Sequence, residues 1–201
     1  HGLNFHPNGK YSYITTYTDG TDILTNASVN QDTGALTLGT TTTIGNKPTS
    51  VAVHPTLDFA YATAKNLNQI IVCSVNEDGT LTAGSAMSAG AGDPHRIEIH
   101  PNGKFLYSAN ESGSFEISLY SINQSDGSLS YVGKQASTTN PNDPCPDIAI
   151  HPNGLLAYAS YTTGGPASLV RYTVDPNTGL FSNEFEVLTS AVFGIYESVD
   201  M

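Results

Sequence analysis

The sequence contains no tryptophan, only two cysteines, and only seven lysines and arginines among its 201 residues. Two cysteines cannot form a network of disulfides, and Cys73, at the end of the apolar run Ile70–Cys73, is expected to be a buried thiol. The net charge is −11, and an acidic surface repels phosphate backbones, which argues against a nucleic-acid partner. No apolar run approaches the ~20 residues of a membrane span, so none is expected.

The polar residues are mainly Thr, Ser, Asn and Gly, and charged residues make up only 12% of the chain. This composition is typical of an all-β protein with many turns and offers too few helix formers for a helical bundle. Low charge together with abundant Thr and Ser favours an extracellular or cell-surface location, with the cytoplasm as the alternative.

A turn of sequence His-Pro-Asn-Gly recurs along the chain and marks an internal repeat. It occurs at His6–Gly9, His100–Gly103 and His151–Gly154, with the variant His54–Leu57 between them. The histidines are 48, 46 and 51 residues apart. A period of this length is typical of a four-stranded propeller blade.

Each repeat divides into four segments with the composition of β-strands. The first segments are Leu3–His6, Ser50–His54, Arg96–His100 and Asp147–His151. The second are Tyr11–Thr16, Phe59–Ala64, Phe105–Ala109 and Leu155–Tyr161, and the third are Ile23–Val29, Gln69–Val75, Phe115–Ile122 and Ser168–Val174. The fourth begin at Leu36, Leu81, Leu129 and Leu180, each after a Gly turn. These hairpin signals predict antiparallel four-stranded meanders.

The predicted fold is therefore an all-β propeller with about four four-stranded antiparallel blades in a single domain. The repeats cover roughly residues 1–46, 47–92, 93–144 and 145–188, and residues 189–201 form a tail that resembles the start of another element. A lone meander exposes both faces, so neighbouring blades must stack. We expect a four-blade segment of a larger, seven-bladed ring; a closed four-bladed ring is the alternative.

The segment Pro94–Glu111, with its His-Pro-Asn-Gly turn followed by an aromatic residue and Tyr, resembles the seven-bladed lactonase family, as does the Val174–Leu180 turn. That family includes propeller-type 6-phosphogluconolactonases and fungal carboxymuconate cyclases. The resemblance implies an enzyme that hydrolyses or forms a lactone of a sugar acid or dicarboxylate, with no cofactor and no metal. Surface-layer and YVTN-type propellers use similar turns.

The third repeat carries the candidate site residues. The family opens this inner strand with Gly-Pro-Arg-His and ends the second strand with Asn-Glu; this chain has Asp93–Arg96, with Arg and His reversed, and Asn110–Glu111. In the next repeat Ser160–Thr162 lacks the basic residue that the family carries there. The predicted catalytic residues are His95, Arg96 and Glu111, and the predicted substrate-binding residues are Asp93, Asn110 and Asp147.

Blade topology leads to the same residues, because fourth-to-first and second-to-third loops open at one end of the ring. His95, Arg96 and Glu111 would then meet at the mouth of the channel. A lactonase needs one group that polarises the carbonyl and another that activates water. Arg96 could hold an anionic group or stabilise an oxyanion, and His95 or Glu111 could act as general base.

Structural roles for the same residues remain open. Arg96 could pair with Glu98 or with Asp147 of the next repeat, and Glu111 could be an ordinary loop carboxylate. A non-catalytic extracellular propeller, binding a ligand or self-associating through open blade edges, is the alternative function. The four repeat histidines would lie far apart in a ring, so no metal site is predicted from them.

Overall fold

The structure, a computed structural model, describes residues 2–18, 21–90, 92–112, 116–138, 140, 143–161 and 167–190. The greater part of the predicted tail, residues 191–201, lies outside the described residues. So do Phe115, which begins one predicted strand, and Thr162.

The described residues form four antiparallel sheets of four strands each, in chain order, and each sheet is one blade. Blade 1 contains β1 (Leu3–Phe5), β2 (Tyr11–Thr18), β3 (Thr21–Val29) and β4 (Leu36–Thr43). Blade 2 contains β5 (Val51–Val53), β6 (Phe59–Ala64), β7 (Gln69–Val75) and β8 (Leu81–Ser88). Blade 3 contains β9 (Pro94–Ile99), β10 (Phe105–Asn110), β11 (Ile117–Ile122) and β12 (Leu129–Gln135). Blade 4 contains β13 (Asp147–Ile150), β14 (Leu156–Tyr161), β15 (Ala167–Val174) and β16 (Phe181–Ser190). The predicted all-β fold with about four blades is confirmed.

The repeated His-Pro-Asn-Gly turn is held by hydrogen bonds to its His and Asn side chains and by the backbone freedom of its glycine. In blade 3 the amide of Asn102 donates to His100 Nδ1 at 3.1 Å, and the Asn102 side chain accepts from the amide of Lys104 at 2.9 Å. Gly103 closes the turn with a φ of 73°, a conformation that favours glycine. After the turn, the chain continues into β10, which runs antiparallel to β9.

Neighbouring blades bury three apolar cores, one at each blade-to-blade interface. Strand alternation divides the side chains between the two faces of a blade. In blade 3, Ile97 and Ile99 pack towards blade 2, while Tyr107 and Ala109 pack towards blade 4. Each inner blade is therefore held on both faces.

The repeat histidines also connect consecutive blades. His54 Nε2 donates to the carbonyl of Gly103 in blade 3 at 2.8 Å, and His100 Nε2 donates to the carbonyl of Gly154 in blade 4 at 2.8 Å. A Cβ at Gly103 would lie 2.6 Å from the His54 ring, so this close approach requires glycine. The histidines are structural links between blades.

Both outer faces of the four-blade assembly carry exposed apolar side chains. Leu3 and Phe5, at the positions of β1 where the other first strands carry buried Val or Ile, are 50% and 51% exposed. Phe185, on blade 4, is 57% exposed. The four blades therefore form an arc, not a closed four-bladed ring.

Candidate functional site

The candidate site lies at the end of the arc where second strands exit and first strands begin. His95 and Arg96 belong to β9, the first strand of blade 3, and Glu111 directly follows β10 of the same blade. The Glu111 amide donates to the carbonyl of Asp93 at 3.1 Å, which ties the end of β10 to the start of β9. Asp93 adopts a positive φ of 47° at this point. Hydrogen bonding between adjacent strands thus brings Glu111 close to His95, one of the two other predicted catalytic residues.

Glu111 lies between two basic side chains. Its Oε2 contacts Lys65 Nζ from blade 2, and its Oε1 lies 3.7 Å from His95 Nε2. The side chains of Lys65, His95 and Glu111 are 12%, 23% and 29% exposed. The three groups thus remain accessible to a small molecule while being held by the blades around them. We call them the Lys65–Glu111–His95 cluster.

The orientation of His95 is fixed from both neighbouring blades. Its Nδ1 lies 2.8 Å from the carbonyl of Pro146, so Nδ1–H donates and the neutral ring has an unprotonated Nε2. On the other side, Thr49 Oγ1 donates to the backbone carbonyl of His95 at 2.7 Å. The basic nitrogen therefore points towards Glu111, and that carboxylate would stabilise the imidazolium formed when Nε2 accepts a proton.

Arg96 pairs with Asp147 of the next blade, as one of the structural alternatives predicted. Arg96 Nε lies 3.6 Å from Asp147 Oδ1, and the Asp147 carboxylate also accepts from the amide of Ile148 at 2.8 Å. The Asp147 side chain is buried, whereas the Arg96 side chain is 26% exposed. Asp147 thus anchors the guanidinium, and part of the Arg96 side chain remains exposed.

Asn110 is buried within blade 3. Its Nδ2 donates to the carbonyls of Ser108 and Glu116, and its Oδ1 accepts from Ser108 Oγ at 3.1 Å. The register between β10 and β9 shifts between Ala109 and Asn110, and this bulge accompanies the inward position of the side chain. The structure therefore separates Asn110 from the exposed cluster, and its predicted role in substrate binding stays a prediction.

Several buried polar side chains lie at the interface between blades 3 and 4. The hydroxyls of Tyr161 and Tyr172 lie 2.9 Å apart, and Glu184 accepts from Ser137 Oγ at 2.5 Å. Burial raises the pKa of both tyrosines, and burial together with nearby Asp147 raises the pKa of Cys145. The two tyrosines and Cys145 are therefore neutral at physiological pH, and Cys145 is a poor nucleophile.

Sequence reasoning missed Lys65. It begins the 3-10 turn Lys65–Leu67 and follows His54 by the same eleven residues that separate Glu111 from His100. Aligning the second-strand ends of all the repeats would have placed Lys65 and Glu111 at equivalent positions of adjacent blades. Opposite charges at such positions are the signal that could have identified the pair.

Other kinds of site find little support in the described part of the chain. There, no three His, Cys, Asp or Glu side chains come close enough together to hold a metal ion. A cleft of about 240 Å³ between blades 1 and 2, lined in part by His6, Tyr11 and Asp58, lies at the opposite end of the arc. No helix among the described residues is long and apolar enough to cross a bilayer.

The sequence of this chain is similar to those of proteins named 6-phosphogluconolactonase. The 6-phosphogluconolactonase of Pectobacterium carotovorum subsp. carotovorum (strain PC1) is 30% identical over 109 residues, which is 50% of this chain and 32% of that protein. The 6-phosphogluconolactonase of Serratia proteamaculans (strain 568) is 26% identical over 140 residues, 66% of this chain and 41% of that protein. The chain thus spans less than half the length of the curated relatives it matches.

Solved structures share the propeller fold. A candidate 6-phosphogluconolactonase from Bacteroides uniformis superposes with a TM-score of 0.76 at 23% identity, covering 94% of this chain and 57% of that one. The periplasmic gluconolactonase of Pseudomonas aeruginosa superposes with a TM-score of 0.71 at 15% identity, covering 96% and 54%. The profile of the family described as "Lactonase, 7-bladed beta-propeller" matches residues 2–145. The chain therefore belongs to the seven-bladed β-propeller lactonase family.

Proposed function

We propose that this chain hydrolyses the lactone of a sugar acid at the Lys65–Glu111–His95 cluster, with His95 as general base. One observation carries the proposal: His95 Nδ1 is bound to the carbonyl of Pro146, so Nε2 is left free beside the carboxylate of Glu111. His95 as a base, the Glu111 carboxylate as partner of its protonated form and the guanidinium of the adjacent Arg96 are groups that can accelerate ester hydrolysis.

The proposed reaction uses water and side chains of the site. His95 Nε2 takes a proton from a water molecule, and the hydroxide oxygen bonds to the lactone carbonyl carbon. The carbonyl oxygen then carries negative charge, which the exposed part of Arg96 stabilises. Collapse of this intermediate breaks the ring C–O bond, and the leaving oxygen takes the proton back from His95. The product is a hydroxy acid, and the reverse sequence forms the lactone.

The other predicted residues have supporting roles in this proposal. Asp93, half-buried at the start of β9 and linked to Glu111 through its carbonyl, is positioned to accept hydrogen bonds from sugar hydroxyls. Asp147 holds Arg96 in place, and Asn110 fixes the end of β10 from which Glu111 projects. We assign hydroxyl binding to Asp93, and positioning to Asp147 and Asn110.

The names of the relatives guide the choice of substrate. Two relatives are 6-phosphogluconolactonases, and one structural neighbour is a periplasmic gluconolactonase. A sugar-acid lactone, with or without a phosphate, is therefore the substrate class to test first. The two cationic side chains of the site that could contact a phosphate already pair with carboxylates: Lys65 pairs with Glu111, and Arg96 pairs with Asp147.

The test compares hydrolysis of gluconolactone and its 6-phosphate by the purified chain and by His95→Gln. We expect the substitution to lower kcat/KM by about 10²–10⁴-fold, the usual contribution of a general base. His6→Gln, the same change at the opposite end of the arc, serves as control and should leave the rate unchanged. Thermal melts verify that both variants fold.

Two results would overturn the proposal. One is a folded His95→Gln variant that retains the full rate. The other is a wild-type chain that binds the lactone, as measured by calorimetry, but leaves hydrolysis at the spontaneous rate. The second result would indicate a binding propeller instead of an enzyme.

A further inference from the structure

The proposed general base lies at an irregular point of its strand. The pairing of β9 with β10 passes from Arg96 opposite Ala109 to Pro94 opposite Asn110. His95 lies between these two pairs, has no opposite residue in β10, and is the extra residue of a β-bulge. Bulges next to active sites redirect a side chain, and they interrupt the regular pairing that otherwise holds the backbone. Contacts from neighbouring blades therefore help to decide where the His95 ring lies.

Two hydroxyl groups just before β5 of blade 2 hold the backbone of β9. Thr49 Oγ1 lies 2.7 Å from the carbonyl oxygen of His95 and 3.2 Å from that of Pro94. Ser50 Oγ accepts from the amide of Ile97 at 3.2 Å. Thr49 and Ser50 are both buried, so water has little access to these bonds. The start of β9 is thus fixed from blade 2 as well as by β10.

Thr63, which is fully buried in β6, sets the direction of the bond from Thr49. Thr63 Oγ1 accepts from the amides of Thr49 and Ser50, each at 2.9 Å, and a hydroxyl oxygen has two lone pairs. Its own proton is then donated to Thr49 Oγ1 at 2.9 Å, which is nearer than the Ser50 carbonyl at 3.4 Å. Thr49 Oγ1 therefore uses its own proton to donate to the carbonyl of His95.

The bond from Thr49 and the bond from His95 follow one rule of the repeat. Thr49, His95 and Pro146 each lie five residues before a repeat histidine, so they occupy the same position of blades 2, 3 and 4. At this position the Thr49 side chain donates to the carbonyl of His95, and the His95 side chain donates to the carbonyl of Pro146. A shift of the His95 backbone would therefore also move Nδ1 away from its acceptor.

Blade 3 has no hydroxyl of its own at the place of Thr63. Ala109 occupies that place, since each lies nine residues after the histidine of its repeat. In blade 2 the Thr63 hydroxyl binds the backbone at the start of the first strand, and in blade 1 Thr15 Oγ1 accepts from the amide of Gly2 at 2.7 Å. The methyl group of Ala109 cannot form such a bond, and Thr49 supplies one to β9 from the preceding blade.

We propose that Thr49, oriented by Thr63, is a positioning residue for His95. It holds the bulge so that Nδ1–H of His95 stays on the carbonyl of Pro146 and Nε2 stays unprotonated beside Glu111. This inference rests on the proposed function, in which Nε2 is the general base. Thr49 is only 6% exposed and acts through His95, as hydrogen-bonding residues behind a site commonly do.

The kinetic test compares two substitutions of Thr49. Thr49→Val removes the hydroxyl and keeps the size of the side chain, and we expect it to lower kcat for gluconolactone by about 10–100-fold, because a displaced catalytic group slows the chemical step. KM should change little, since no contact with the substrate is lost. Thr49→Ser keeps the hydroxyl and should recover most of the rate. Thr63→Val, which removes the group that orients Thr49, should act in the same direction as Thr49→Val.

The matched control is Thr15→Val. It removes a fully buried hydroxyl from the equivalent of Thr63 in blade 1, where the partner is Gly2 and not a residue of the site. This variant should keep the wild-type rate. Circular dichroism verifies that all the variants fold.

Nitrogen NMR of the histidine rings tests the same role without turnover. The signal of His95, identified by its absence in His95→Gln, should show one neutral tautomer with the proton on Nδ1. Thr49→Val and Thr63→Val should show the proton shared between Nδ1 and Nε2, whereas Thr15→Val should give the wild-type signal.

The two measurements separate this inference from the proposed function. A folded Thr49→Val variant in which His95 keeps the Nδ1–H tautomer would overturn the positioning role, whatever its rate. If the tautomer changes while hydrolysis keeps its full rate, Thr49 does position the ring, and it is the role of His95 as general base that fails.

Discussion

Lys65 Nζ contacts Glu111 Oε2 across the interface between blades 2 and 3, and the two residues occupy the same position of consecutive repeats. The Lys65 side chain is 12% exposed, so most of the ion pair is sheltered from water. A sheltered pair holds its geometry better than a surface pair does. Lys65 therefore fixes the carboxylate that faces His95.

We predict that Lys65→Met lowers kcat/KM for lactone hydrolysis by about tenfold or more, since misplacing one catalytic group has effects of this size. Lys65→Arg should recover most of the loss because it restores a cation next to Glu111. Lys104→Met, which removes an exposed lysine of blade 3, is the control. Equal losses in the Met and Arg variants would contradict a positioning role.

His54 should make the fold sensitive to mild acid. Burial lowers the pKa of His54, and its Nδ1 accepts hydrogen bonds from the amides of Thr56 and Leu57, which a proton on that nitrogen would displace. Below about pH 6.5 the unfolded chain takes up a proton that the folded chain resists, so stability is lost as pH falls. For one such group, the free energy of unfolding changes by at most about 1.4 kcal/mol per pH unit.

Urea unfolding between neutral and mildly acidic pH measures this effect. His54→Gln should be less stable at neutral pH and should lose less stability on acidification than the wild type. His6→Gln changes the half-exposed equivalent in blade 1 and should keep the wild-type slope. If the free energy of unfolding of His54→Gln changes with pH as steeply as that of the wild type, the acid sensitivity belongs to another group.

The hydroxyl of Tyr107 contributes to the contact between blades 3 and 4. It donates to the carbonyl of Gly179 at 2.9 Å while its ring stacks on Phe181. Tyr107→Phe keeps the ring and leaves the carbonyl without this donor, so we expect the free energy of unfolding to fall by about 1–2 kcal/mol. Tyr131→Phe, at a residue that is 48% exposed, should change it by less than about 0.5 kcal/mol.

Neither cysteine should react in the folded chain. Cys73 and Cys145 are free and buried, and burial raises the pKa of Cys73 to about 12. Since the thiolate is the reactive form, Ellman's reagent should titrate no thiol in native buffer and both thiols in denaturant. Rapid labelling of Cys145 in native buffer would show that the interface between blades 3 and 4 opens readily.

Most of the strands could be predicted because local chemistry specifies the turns between them. Residues Phe59–Ala64 and Gln69–Val75 form strands with the predicted limits. At the turn before β12, Asp126 caps the amide of Ser128 at 2.9 Å, and Gly127 supplies a φ of 70°. Such turns depend on a few adjacent residues, which a single sequence displays directly.

The contacts within the site could be predicted only in part. The link between Arg96 and Asp147 followed from aligned positions of consecutive first strands. The link between Lys65 and Glu111 joins residues 46 positions apart, and only an alignment of the second-strand ends of the repeats indicates it. The burial of Asn110 accompanies a bulge in the pairing of β10 with β9, which depends on the register of two strands.

The equivalence of Lys65 and Glu111 bears on how such a channel mouth can diversify. The amides of Lys65 and Glu111 donate to the carbonyls of Lys47 and Asp93, so a substitution at either position changes the side chain and keeps these backbone bonds. Because the two charged side chains contact each other across the blades, a change at one position also alters the setting of the other. New specificities at this position are therefore expected to arise by paired substitutions in consecutive repeats.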